Sequence, residues 1–235
     1  TITGPQVTNS GTIGAGVDTN GNVTQPGAVA LNATGAARNS GNLLAGQSIG
    51  VTGASIDASN GNVATQGTVS LSATGDVTTR SATISGGSVT VQAGGTLDNI
   101  AGSLSSNTTL QVGAQRVVNQ GGLLASTGNT SITTGSLDNT SGALGSNSGS
   151  LAVNATGDIT NAKGKLVAAQ DVSITGGSLG NQGGTVSAQN MSLNTGTGAL
   201  DNTGGTVSAA GTANVTAGSL VNQGGTLAAA GNVSA

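Results

Sequence analysis

The sequence predicts an all-β protein: a right-handed parallel β-helix of about 11 coils, each about 20 residues long with three short strands. Apolar residues recur every 19–22 residues along nearly the whole chain, which is typical of a solenoid. Within a repeat they alternate with small polar residues, which indicates strands with one inward face. No aromatic residue is present, so the interior must be filled by aliphatic side chains. The right hand follows from the preference of parallel strand crossovers.

Three apolar columns define the expected interior. We align the first column from Val17 and Ala37, and the second from Val23 and Leu44. The third column often holds two alternating residues, such as Val69 and Leu71. The regular part of the first column, which we predict to be the core column, comprises Leu97, Val117, Leu137, Ile159, Leu179, Leu200 and Leu220.

An asparagine column follows the core column by two residues. Its regular members are Asn99, Asn119, Asn139, Asn161, Asn181, Asn202 and Asn222, whereas Thr19, Ala58 and Thr79 take the same place in other repeats. Stacked asparagine amides can form a hydrogen-bonded ladder that satisfies turn backbone groups. The alternative is a ligand-binding stripe, but Ala58 and Thr79 would interrupt it. We therefore predict a structural corner ladder.

The residue types offer little chemistry. There is no His or Cys, and we expect no catalytic, cofactor-binding or metal-binding residues and no cofactor. The eight Asp residues are too widely spaced along the repeats for shared coordination of a cation. Five scattered cations and no aromatic side chains argue against a nucleic-acid partner. Polysaccharide-degrading β-helices need clustered carboxylates or a cationic base, and an ice-binding face needs regular threonines, so neither class fits.

Repeats such as Leu137-Asp138-Asn139-Thr140-Ser141-Gly142 resemble filamentous haemagglutinin repeats. The phrase at residues 200–211 and its counterpart at 220–232 carry the same resemblance, which covers roughly 17–235 and weakens before residue 60. Such repeats occur in secreted exoproteins of two-partner secretion systems, which include adhesins and contact-dependent growth inhibition effectors. The resemblance implies a virulence-associated filament on the surface of a Gram-negative bacterium, exported by an outer-membrane transporter.

We therefore expect a structural shaft that projects a distal adhesive or toxin-delivery module, and not an enzyme. In the alternative, the rod surface itself is the adhesin and binds host glycans or neighbouring rods in a biofilm; self-association and a host or bacterial surface receptor are the partners considered. We divide the chain into a partial or irregular leading coil over residues 1–16 and a shaft over 17–235, a fragment of a longer filament.

Overall fold

A computed structural model describes all residues from 1 to 235, and every regular element in it is a strand. The strands of successive coils pair side by side and parallel, about 20 residues apart, so that the chain winds as a β-solenoid. The predicted all-β fold and repeat length are confirmed. None of the chain forms a helix long and apolar enough to serve as a membrane span.

Each coil presents three faces. The first face consists of β1 (Ile2–Gly4), β4 (Ala28–Ala33), β7 (Ser48–Gly53), β10 (Thr68–Ala73), β13 (Ser88–Ala93), β20 (Leu151–Ala155), β23 (Asp171–Thr175), β26 (Asn190–Asn194), β29 (Ala213–Thr216) and β32 (Val233–Ser234). The second face consists of β2 (Val7–Asn9), β5 (Ala36–Asn39), β8 (Ser55–Asp57), β11 (Val77–Thr78), β14 (Thr96–Asp98), β21 (Asp158–Thr160), β24 (Ser178–Gly180), β27 (Ala199–Asp201) and β30 (Ser219–Val221).

Two long strands turn the corner between these faces and belong to both, namely β16 (Leu110–Val118) and β18 (Thr130–Asp138). The third face is a separate sheet of 11 strands. Its members are β3 (Thr12–Ala15), β6 (Asn42–Ala45), β9 (Asn62–Thr65), β12 (Thr83–Gly86), β15 (Ser103–Ser106), β17 (Leu123–Ser126), β19 (Ala143–Ser146), β22 (Lys165–Ala168), β25 (Thr185–Ala188), β28 (Thr206–Ala209) and β31 (Thr226–Ala229).

The core is one continuous aliphatic column enclosed by the three faces. It contains 47 buried residues, all Ala, Val, Leu, Ile or Met. Because side chains alternate along a strand, the second and fourth residues of a third-face strand point inward while the first and third point outward. Ser103–Ser106 illustrates this, since Leu104 and Ser106 are buried and their neighbours are partly exposed. The interior is thus filled from three sides without an aromatic residue.

The first repeat follows a different register from the predicted one. Val7, not Val17, pairs with Ala37, and Ile13, not Val23, pairs with Leu43. Residues 1–16, expected as a partial or irregular leading coil, contain three strands that pair in register with β4, β5 and β6. The departure from the repeat comes after them, in residues 16–27, where Val17 and Val23 form an isolated antiparallel bridge.

The error has a physical reason. The segment 16–27 lengthens one coil, so that Val7 and Ala37 lie 30 residues apart instead of about 20. This segment contains Val17 and Val23, which lie about one repeat before Ala37 and Leu44 and so imitate the expected columns. The assignment of Leu44 to the second apolar column is wrong by one position, because Leu43 is fully buried in the interior and Leu44 points outward. Adjacent leucines leave the direction of alternation undefined until the neighbouring strands set the register.

Candidate functional site

The predicted core column lies on the second face and its corner. Leu97, Val117, Leu137, Ile159, Leu179 and Leu200 pair in this order from coil to coil, and each is at most 2% exposed. Leu220 continues the register but is 41% exposed, because no further coil of the described chain covers it. These residues therefore line one wall of the interior.

The asparagine column lies immediately beside this wall, with its side chains inside the solenoid. Asn99, Asn119, Asn139, Asn161 and Asn181 are fully buried, and Asn202 is 1% exposed. In each step the Nδ2 group of one asparagine donates to Oδ1 of the next at 2.7 Å. The result is an unbroken chain of amides from Asn99 to Asn222, parallel to the solenoid axis.

Each amide also serves the backbone of the turn that follows it. The Nδ2 group of Asn139 lies 3.2 Å from the carbonyl oxygens of Gly142 in its own coil and Lys165 in the next. Asn99, Asn119, Asn161, Asn181 and Asn202 make equivalent pairs of contacts. The carbonyl of Gly142 also accepts the backbone N–H of Lys165 at 2.9 Å, so the amide is a second donor to it. Buried donors without a partner are costly, so these contacts pair the amide protons that the dry interior would otherwise leave unsatisfied.

The turn after each asparagine from Asn99 to Asn222 has glycine at the third position, whereas Asn9 and Asn39 are followed by glycine at the second. A Cβ added at Gly142 would lie 2.6 Å from Oδ1 of Asn139 and 2.9 Å from Nδ2 of Asn119. Such distances are far inside normal contact for carbon, so a side chain there would displace the ladder. From Asn99 onward, the spacing Asn-x-x-Gly therefore leaves room for the buried amides and is not only a turn preference.

The ladder is interrupted once, near the beginning of the chain. The Nδ2 group of Asn9 donates to Oδ1 of Asn39 at 2.7 Å, so Asn9 occupies the ladder position that was predicted for Thr19. Ala58 follows Asn39 and is buried, so Nδ2 of Asn39 has no side-chain acceptor and contacts only the carbonyl of Gly41. The ladder restarts at Thr79, whose hydroxyl donates to Oδ1 of Asn99 at 2.8 Å.

A second buried polar group was not found from the sequence. Ser106, Ser126 and Ser146 stack in successive coils of the third face, with their side chains inward. The hydroxyl of Ser126 lies 2.8 Å from that of Thr130, which donates to the carbonyl of Gly145 at 2.7 Å. The hydroxyl of Ser106 has no partner. Serine is common on both faces of these strands, so only the register distinguishes the inward ones.

The carboxylates lie on the outside, mainly along the second face. Partial burial by itself raises the pKa of Asp138. This effect is outweighed by hydrogen bonds from the hydroxyl and backbone N–H of Thr140, by one from the side-chain amide of Gln120, and by the charge of Arg116. The pKa of Asp138 is therefore lowered below the usual value. Asp201 has a lowered pKa from the same contacts with Thr203. No three potential metal ligands come together anywhere in the chain.

A shallow polar groove runs along one margin of the third face. It has a volume of about 460 Å³ and contains amide and hydroxyl groups but no charged side chain. Its polar lining includes Gln66, Ser85, Ser105, Asn107, Thr127 and Asn147. Leu123 and Ala125 supply its apolar floor. This groove was not predicted from the sequence, since its residues come from five different coils.

Comparison with known families gave one match. The model of the family described as haemagglutinin repeat matches four overlapping segments, residues 27–100, 84–163, 148–204 and 192–235. These segments together extend over most of the chain, and they cover the ladder from Asn39 to Asn222. Searches of curated proteins and of solved structures found no match.

Proposed function

Because the chain belongs to the haemagglutinin-repeat family, we propose that it forms the structural shaft of a large secreted surface filament that projects a distal adhesive or toxin-delivery module. The family and the β-solenoid together support a secreted, adhesin-like rod. The shaft is the finer assignment, and the continuity of the stack is the observation that favours it. The third face pairs without a break through all 11 of its strands.

This continuity gives the rod its length and stiffness. Eleven coils at a spacing of about 4.8 Å extend for about 50 Å, and each coil is bonded to the next through three faces. The asparagine ladder adds a line of buried hydrogen bonds along the axis. We propose that the ladder and the core column have this structural role and no ligand-binding role. The leading strands β1–β3 pair as later coils do, which favours counting residues 1–16 with the shaft.

We further propose export through an outer-membrane transporter of a two-partner secretion system and display on the surface of a Gram-negative bacterium. The haemagglutinin-repeat family occurs in this context in general. Haemagglutinin-repeat solenoids are typically structural or adhesive, and we assign no catalytic activity to the chain. Contact-dependent growth inhibition and biofilm formation are the processes that such a shaft would serve.

The alternative is that the rod surface itself is the adhesin. The polar groove on the third face favours it, because uncharged amide and hydroxyl groups around an apolar floor can hydrogen-bond a neutral glycan. Binding of the isolated chain to a glycan array distinguishes the two functions. A pure shaft shows no binding, whereas a glycan site shows binding that Asn107→Ala removes and Asn154→Ala, on the first face, leaves unchanged.

A coil deletion tests the shaft directly. Removal of residues 119–160 joins Val118 to Asn161 and takes out two complete steps of the ladder. In solution scattering the rod should shorten by about 10 Å, since each coil contributes about 4.8 Å. In the cell-displayed protein the same deletion should reduce reach and preserve binding or delivery. Loss of binding with an intact, shortened rod would contradict the shaft and favour the alternative.

A further inference from the structure

The third face differs from the rest of the surface in its charge. Its 11 strands contain one charged residue, Lys165, and all eight aspartates and three arginines lie elsewhere. Most of its outward residues are Ser, Thr, Ala or Gly. Interspersed charged side chains normally keep a protein surface from associating, so this face lacks the usual protection.

The centre of the face is also apolar. Leu123 is 38% exposed and Val167 is 37% exposed, and they lie on either side of the strand that carries Ala143 and Gly145. Ala125 also points outward and pairs with Gly145, on the opposite side of that strand from Val167. Two large aliphatic side chains thus flank a strip with almost no side-chain height, which another sheet can approach closely.

The molecule itself covers one end of this face. The inserted segment 16–27 lies over β3 and β6, where Val17, Gly21 and Val23 line an apolar pocket of about 230 Å³ together with Leu44 and Ala64. A Cβ on Gly21 would lie 3.0 Å from a methyl carbon of Leu44. The outward side of the third face therefore already serves as a packing surface in its first coils, while its central coils have no cover.

We propose that the third faces of two copies of this chain pack against each other with the rods antiparallel, about a two-fold axis that runs along β19 between the two faces. In this arrangement the coil before β19 faces the coil after it. Leu123 then meets the methylene stem of Lys165 and Ala125 meets Val167, while Ala143 and Gly145 meet their own copies. Large side chains are matched with small or extended ones along the strip.

Charge selects the antiparallel arrangement. With parallel rods the two copies of Lys165 would share one coil level, two residues or about 7 Å apart along the face. With antiparallel rods they are two coils, or about 10 Å, apart and each lies over a leucine. Antiparallel packing joins filaments that project from facing surfaces, and in this respect the inference rests on the proposed shaft.

The area available fits a weak, reversible contact. The nine strands from β9 to β31 offer a flat surface of about 40 by 13 Å, so two copies bury about 1,100 Å² in total, just above the lower limit for a specific interface. A single pair of short rods would thus dissociate readily. Longer filaments with many such coils would gain strength through multivalency.

Sedimentation velocity over a range of concentrations tests the association. The chain should form a concentration-dependent dimer, and Ala143→Asp, which places two carboxylates against each other on the axis, should weaken it at least tenfold. Ala152→Asp is the matched control, because Ala152 is an outward alanine in the middle of a first-face strand. A chain that stays monomeric at every concentration, or equal effects of both variants, would overturn the proposal.

Cysteine cross-linking tests the orientation, since the chain has no native cysteine. A mixture of Leu123→Cys and Lys165→Cys should form a disulfide-linked pair under mild oxidation faster than either variant alone. A mixture of Leu123→Cys and Ala125→Cys, which parallel rods would bring together, is the comparison. Faster linkage in the second mixture would show parallel rods, and no preference in either would refute the interface. Circular dichroism of each variant checks that the solenoid is intact.

Discussion

The buried ladder makes a sharp prediction at Asn139, where aspartate has nearly the same shape but no side-chain donor. The Nδ2 group of Asn139 contacts Oδ1 of Asn161 at 2.7 Å and the carbonyls of Gly142 and Lys165 at 3.2 Å. Asn139→Asp removes both amide protons and leaves these three oxygens facing a carboxylate. The bond accepted from Asn119 remains.

The expected loss of stability has two parts. Two hydrogen bonds at about 0.5–1.5 kcal/mol each give about 1–3 kcal/mol, and an unpaired carboxylate in this dry site adds a desolvation penalty. A total of about 3–5 kcal/mol is expected near pH 7, of the size seen when a buried pair is broken. Such a loss would lower the midpoint of thermal unfolding by roughly 6–20 °C for a chain of this length.

The pH dependence separates the two parts. Burial raises the pKa of the new carboxyl group in the folded state above its unfolded value of about 3.9. A raised folded pKa means that the charge-related penalty is absent below about pH 4 and grows as pH rises to the folded pKa. The difference in unfolding free energy between variant and parent should therefore shrink in acid. For Asn139→Ala, which loses the same bonds without gaining a charge, the difference should stay nearly constant.

Urea unfolding followed by circular dichroism between pH 4 and 7 provides the measurement, with Asn154→Asp as control. Asn154 is exposed on the first face and its side chain makes no hydrogen bond, so its substitution should change stability by less than about 0.5 kcal/mol. Hydrogen exchange would show whether the coils next to residue 139 open first. Equal stability of Asn139→Asp and Asn154→Asp would refute the structural role of the ladder.

Three further predictions follow from the same geometry. Ala58→Asn should supply the acceptor that Asn39 lacks and raise the unfolding free energy by about 1 kcal/mol, measured by urea unfolding; a decrease would show that the gap cannot hold an amide. Leu137→Ala should reduce the unfolding free energy by about 2–5 kcal/mol, because the removed side chain is buried. An effect below about 1 kcal/mol in the same urea unfolding would contradict the assigned core. Thr140→Val should bring the pKa of Asp138 up toward its usual value in an NMR titration, because it removes the hydroxyl donor. An unchanged titration would assign the lowered pKa to other groups. In the parent, the lowered pKa of Asp138 stabilises the fold above about pH 4, and this contribution is lost as pH falls through the folded pKa. The stability of the variant should therefore depend less on pH in acid.

The repeat was readable from the sequence because the same few positions are apolar in nearly every coil. Leu97 and Leu137 needed only the 20-residue period and the two-residue alternation to be placed in the interior. The asparagine column was visible for the same reason. That its amides point inward and are fully buried was not predictable, since a corner asparagine on the outside would leave the same spacing.

The errors arose where local pattern and long-range register disagree. Val17 and Val23 satisfy the period but belong to an inserted segment, and only the pairing of Val7 with Ala37 reveals this. Ser126 and Ser146 are polar residues in inward positions, which hydropathy assigns to the surface. The polar groove and the uncharged third face depend on which coils adjoin, so neither exists as a feature of the linear sequence.

The ladder also answers a problem that near-identical repeats create. A coil displaced by one residue would still find aliphatic neighbours, because leucine, valine and alanine pack with similar ease. A displaced amide would lose its partner in a dry interior, which is far more costly. Successive ladder residues are separated by 20, 21, 22 and in one case 30 residues, yet the amide contact is 2.7 Å each time. Differences in coil length are therefore taken up in the turns, which favours a role for the asparagines in holding the register of a long, low-complexity chain.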